Sequence, residues 1–108
     1  MRTALFFGFL TVVIFSSSAF AEPTGKELFD KSCKMCHGVD GKGNAKLAQG
    51  MQIKPPELLD LTRQEVKNKK DEALKTTVMD GAGKMKGFKD KLKTEEISLI
   101  VAHIRTLK

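Results

Sequence analysis

The chain has 108 residues, 30% of them charged, with a formal net charge of +6 at neutral pH and seven phenylalanines but no tryptophan or tyrosine. That length accommodates one domain, and its longest apolar run, residues 4–15, falls short of the about 20 residues that cross a bilayer. No basic segment is interleaved with aromatics, so the positive balance points to a solvated surface and not to nucleic acid.

Residues 1–21 set Arg2 ahead of the apolar run and close on Ala19-Phe20-Ala21, a small-x-small cleavage pattern. They read as a secretory signal peptide cut after Ala21. The mature chain, residues 22–108, is then a single soluble domain in the periplasm, without a stable membrane anchor. Phe6, Phe7, Phe9, Phe15 and Phe20 leave with the signal, and Phe29 and Phe88 stay. So small a domain with so few aromatics is short of core material, and a large apolar group not supplied by side chains is expected at its centre.

Thr24-Gly25-Lys26-Glu27 is a capping box and predicts a helix start. From there Gly25, Leu28, Phe29, Ser32, Cys33 and Cys36 share one helical face, leading a packing stripe into the cysteines until Gly38 ends it. Residues 38–56 carry turn signals at Asp40-Gly41 and Gly43-Asn44 and read as loop with room for one helical turn; Pro55-Pro56 makes the backbone just ahead extended. Thr62-Arg63-Gln64-Glu65 repeats the capping box, and Leu74, Thr77 and Val78 share a face before Gly81, so one or two short middle helices are expected. Thr94, followed by two glutamates, is read as the cap of a last helix whose Ile97, Ile100, Val101 and Ile104 recur at i, i+3, i+4 and i+7, with Arg105 and Lys108 near its negative end. No alternating strand pattern or internal repeat occurs, so the fold class is all-α with long irregular connections.

Cys33-Lys34-Met35-Cys36-His37 is C-x-x-C-H, the attachment signature of a c-type haem. On a helix the two cysteines stand about one turn apart on one face, so each sulfur can add to one haem vinyl group, and His37 presents an imidazole to the iron from one side. The other ring nitrogen is expected to donate to a backbone carbonyl. A structural zinc knot wants four ligands, whereas only His103 remains as a further histidine and there is no second cysteine pair. A thioredoxin-like dithiol wants a βαβ context. A Cys33–Cys36 disulfide would close too short a loop to restrict the unfolded chain appreciably.

Over essentially the whole mature length the chain resembles the class I, monohaem c-type cytochromes. The resemblance implies one covalent haem c with its iron, and N- and C-terminal helices that cross through Gly25 and Phe29. Pro56-Glu57-Leu58 resembles the family's Pro-x-Leu, which assigns the carbonyl of Pro56 to the ligand histidine and the side chain of Leu58 to packing on the haem. Gly83-Lys84-Met85-Lys86-Gly87-Phe88 resembles the methionine loop and makes Met85, with His37, an axial ligand. The chain departs from the family at Lys86, where a proline often follows the methionine, and at His103, where the last helix often has an aromatic.

Met35 lies inside the motif, Met79 within an expected helix and Met51 ahead of Pro55, whereas Met85 sits among glycines in a loop free to reach across the haem. Met51, Met79 and His103 remain the alternatives for that position, His103 being expected to pack at the helix crossing. Lys84, Lys86, Lys89, Lys91 and Lys93 surround Met85 and suit redox protein partners with acidic docking surfaces. Nothing resembles a nucleophile with its base, so no enzyme is expected. The function read from the sequence is a monomeric one-electron shuttle. A small-ligand sensor with a displaceable methionine, or a haem subunit of a larger redox enzyme, are the alternatives.

Overall fold

In the computed structural model, which describes residues 3–16 and 21–108, the first helix starts where the capping box sets it. The Glu27 N–H donates to Thr24 Oγ1 at 3.2 Å and α1 spans Gly25–Ser32. The helix is not continuous through the cysteines as expected. The Cys33 carbonyl takes the N–H of both Cys36 (3.3 Å) and His37 (3.0 Å), a tightened turn that separates α1 from α2, Lys34–His37. Gly38 ends α2 with φ of 78°, a conformation that favours glycine. Residues 3–16 are exposed and carry no helix or strand; Arg2, Ala19 and Phe20 of the expected signal lie outside the described residues.

The stretch read as loop contains a six-residue helix, α3, Ala45–Gly50, capped by Asn44, whose Oδ1 accepts from the Leu47 N–H at 3.2 Å. Extended Pro55 (φ −72°, ψ 155°) leads into a 3₁₀ turn, Pro56–Leu59. The middle helices are α4, Gln64–Lys67, and α5, Asp71–Asp80. Thr62 does not cap α4. Arg63 holds the cap position, and Thr62 turns back to donate from both its N–H (2.8 Å) and its hydroxyl (2.6 Å) to the Asp60 carboxylate. After α5 a small antiparallel hairpin appears, β1, Gly81–Ala82, and β2, Met85–Lys86, with Gly81 opposite Lys86 and Ala82 opposite Met85. Gly83 at φ 56° opens its two-residue turn. The last helix, α6, Thr94–Thr106, begins one residue earlier than the threonine predicts: Lys93 is the cap residue, its N–H held by the Glu96 carboxylate at 2.9 Å.

The core forms where α1 crosses α6. Gly25 lies so close to the Leu99 carbonyl that any Cβ there would sit inside van der Waals contact. The fully buried side chains Phe29, Ile97, Ile100 and Val101 belong to these two helices, each worth roughly 1.5–3 kcal/mol of burial. Leu74 and Val78 of α5 pack beside them. Arg105 ties the end of α6 to the α4–α5 junction. Its Nε donates to Asp71 at 2.8 Å, its Nη1 to the carbonyls of Val66 (3.3 Å) and Lys67 (3.2 Å), and its Nη2 to the Lys69 carbonyl. Among the described residues the architecture is all-α apart from one hairpin.

Candidate functional site

The turn at Cys33 places the attachment motif between the core and the surface. Cys33 is buried in the same cluster as Leu28, Phe29, Leu74 and Ile100, while Cys36 and His37 are half-buried. Both thiols are free. Burial, and secondarily the neighbouring Cys36, push the Cys33 thiol up to about 11. A reactive redox dithiol needs an exposed thiolate of low pKa, so Cys33 is the opposite of one. Among the described residues no three His, Cys, Asp or Glu side chains converge to hold a bare metal ion.

His37 Nδ1 lies 2.8 Å from the Leu59 carbonyl. Since a carbonyl only accepts, Nδ1 carries the proton and Nε2 keeps its lone pair, the tautomer an axial ligand needs. Burial pushes the imidazole pKa down from its ordinary value, against an opposing pull from the same hydrogen bond, and so favours the neutral, ligating form.

The carbonyl expected from Pro56 is thus supplied three residues later. The 3₁₀ turn explains the shift: Leu58 N–H donates to the Pro55 carbonyl at 3.1 Å and Asp60 N–H to the Glu57 carbonyl at 2.9 Å, so one tight turn intervenes before the chain reaches His37. Pro56 is exposed, Leu58 is 46% exposed and Leu59 only 8%. It is Leu61, not Leu58, that packs against the cluster holding Cys33. Leu61 N–H in turn donates to the Gly41 carbonyl at 2.6 Å, and the Asp60–Thr62 turn follows the Leu59 carbonyl directly.

Asn44 is the residue the motif reading passed over. Its Nδ2 donates to the Met35 carbonyl and its N–H to that of Cys36, both at 3.0 Å, while the Gly43 N–H takes that of His37 at 2.6 Å. Every carbonyl at the end of α2 therefore has a donor, and the residue supplying two of them also caps α3. The available signal was an asparagine ahead of Ala-Lys-Leu-Ala-Gln, a run of good helix formers.

Met85 lies half-buried in β2, packed with Met79 against Val78, Phe88 and Ile97. Met35 is 75% exposed and Met51 37% exposed. His103 packs against Phe29, ring centroids 5.1 Å apart, at the α1–α6 crossing beside Gly25. Two free thiols one turn apart, next to an imidazole with a single nitrogen spoken for, form a donor set that fits covalent haem attachment with one axial nitrogen.

The sequence model of one family, cytochrome c, matches residues 23–108. The chain belongs to the cytochrome c family. It is therefore a haem-based electron carrier with covalently bound haem c. Among solved structures it is similar to the KustC0563 c-type cytochrome, at 30% identity over 80% of this chain and 99% of the other, with a TM-score of 0.66. It is similar also to a mutant of Kustc0563, at 31% identity over 80% of this chain and 100% of the other, with a TM-score of 0.64. No curated protein matches the chain.

Proposed function

We propose that the mature chain, residues 22–108, is a diffusible, non-enzymatic one-electron carrier of the periplasm. It holds a single haem through Cys33 and Cys36, with His37 and Met85 as the axial ligands. The hydrogen bond from His37 to the Leu59 carbonyl carries the reading, because it commits one imidazole nitrogen and leaves the other for iron beside two free thiols. When bound, the haem supplies a ferrous–ferric couple whose potential a methionine–histidine pair raises. The chain's own part is to keep that site still. The Leu59 carbonyl orients His37, and Asn44 fastens the motif beneath it.

Export is supported by the pattern of residues 1–21 and by a family match that begins at residue 23, just past Ala21. An acidic redox partner is supported by Lys84, Lys86, Lys89, Lys91 and Lys93, all exposed and, among the described residues, none in an ion pair. Electron exchange with such a partner should slow as ionic strength rises toward 0.1 M, where screening acts beyond about 10 Å.

The direct test is the mass of the mature protein, expected to equal residues 22–108 plus one haem, together with the spectrum of Met85→Ala. Loss of the methionine-to-ferric-iron absorption band is expected. Survival of that band would transfer the ligand to Met79, Met51 or His103.

A further inference from the structure

Lys84, at the second position of the β1–β2 turn, is exposed, but its ammonium folds back onto the protein. Its Nζ donates to the Gln52 carbonyl at 3.3 Å and also to the Met51 carbonyl, across more than thirty residues of chain. Met51 and Gln52 form the turn after α3, where Gln52 has φ of 55°, and among the described residues no backbone N–H reaches either carbonyl. An ammonium carries three donors and no acceptor, so it can hold both oxygens at once, and hydrogen bonds from a charged donor are stronger than neutral ones.

The tie joins two parts of the molecule that the rest of the fold attaches separately. The Met85 hairpin hangs from α5, through Phe88 N–H to the Val78 carbonyl (2.9 Å) and Lys89 N–H to the Met79 carbonyl (3.2 Å). The turn at residues 51–52 belongs to α3, which packs on the 3₁₀ turn carrying Leu59 and is fastened to the motif by Asn44. Among the described residues the Lys84 bonds are the only hydrogen bonds between the segment that orients His37 and the hairpin that carries Met85, and they come from the residue immediately before it.

We propose that Lys84 is a positioning residue for the axial methionine: by gripping the Met51 and Gln52 carbonyls it holds the Met85 hairpin closed over the haem. The proposal rests on Met85 being the ligand. Lys86, the next lysine along the chain, projects over the Phe88 ring at 5.8 Å, makes no such tie among the described residues, and is the natural control.

The experiment compares wild type, Lys84→Ala, Lys84→Arg, Lys86→Ala and Met85→Ala as haem-loaded ferric proteins. Each is titrated with imidazole while the methionine-to-iron band is followed, and backbone hydrogen exchange is measured over residues 81–88. In Lys84→Ala, imidazole should displace methionine about fivefold more readily, consistent with loss of a charge-assisted contact at an exposed site. Exchange over the hairpin should quicken with it. Lys84→Arg, which keeps the charge and its donors, should restore both values, and Lys86→Ala should match wild type. Unchanged imidazole affinity in Lys84→Ala, with the band abolished in Met85→Ala, overturns the tie and leaves the ligand assignment standing. A band that survives Met85→Ala overturns both. A loss of thermal stability in Lys84→Ala with no change in imidazole affinity reveals a structural contact only and also overturns the proposal.

Discussion

On the side of the site that carries His37, the Met35, Cys36 and His37 carbonyls all have donors, the imidazole has its own carbonyl, and the segment that presents it is knitted by contacts within residues 33–62. On the side that carries Met85 there are two strands of two residues each, two backbone hydrogen bonds onto the end of α5, and the reach of one lysine. Opening free energy varies from place to place in a fold with the number of such contacts. The comparison teaches that the two proposed axial ligands are not equally secure. His37 is held by an over-determined loop cluster, and exchange of the opposite ligand should begin at the hairpin.

The largest expected effect comes from separating the hairpin from α5. A Cβ at Gly87 would fall inside van der Waals contact of the Met79 carbonyl and of Asp80 backbone atoms, none of which can swing aside as a side chain could. Gly87→Ala should therefore displace β2, costing about 2 kcal/mol by analogy with overpacking. It should weaken or abolish the methionine band while the haem remains covalently attached and His37 stays bound. Denaturant unfolding and the ferric spectrum check both halves. A variant with an intact band and unchanged midpoint would show the hairpin to be less dependent on that close approach.

The complementary change is Asn44→Ala. It strips the cap from α3 and leaves the Met35 carbonyl without its side-chain donor, together worth about 1–2 kcal/mol. The methionine band should persist, because among the described residues Asn44 makes no hydrogen bond to the hairpin or to the turn at residues 51–52, which Lys84 still holds. A destabilised protein with a normal band confirms that the two sides fail independently; a lost band means that the motif and the hairpin are more tightly coupled than their hydrogen bonds indicate.

The parts of this picture that could be read in the sequence are those set by periodicity and by a covalent motif. The helices α1 and α6 follow from the capping box and the isoleucine stripe, and the attachment motif from five adjacent residues, while the crossing of the two helices through Gly25 and Phe29 is implied by the family resemblance. What could not be read depends on tight turns that shift register. Pro56-Glu57-Leu58 matches the family pattern by residue type, yet a 3₁₀ turn moves the working carbonyl to Leu59 and the packing side chain to Leu61. Thr62 and Thr94 have the right chemistry for caps, but Asp60 captures the first, and Glu96 holds the N–H of Lys93 one residue ahead of the second. The hairpin escaped because two-residue strands show no alternation, although Gly83-Lys84 suits a two-residue turn. Long-range side-chain bonds such as that of Lys84 leave no local trace.

The smallest effect probes the His37 side through acid. The Asp60 carboxyl is held below the ordinary carboxylate range, first by the Thr62 hydroxyl, against a smaller opposing effect of burial, and further by the Thr62 N–H and by Lys42 and Arg63 nearby. A carboxylate whose pKa is lowered on folding adds stability above its unfolded value, about 3.9, and that stability is lost as pH falls through the lowered value. After allowance for solvent screening the contribution is a few tenths of a kcal/mol. Asp60→Asn should lose that amount at neutral pH and should no longer follow pH on the acid side of 3.9 as the wild type does. The readout is the difference in unfolding midpoint between the two proteins, expected to narrow as the pH is lowered. A difference that stays constant across that range would mean that the Thr62 hydrogen bonds, and not the ionised carboxylate, hold the turn behind Leu59.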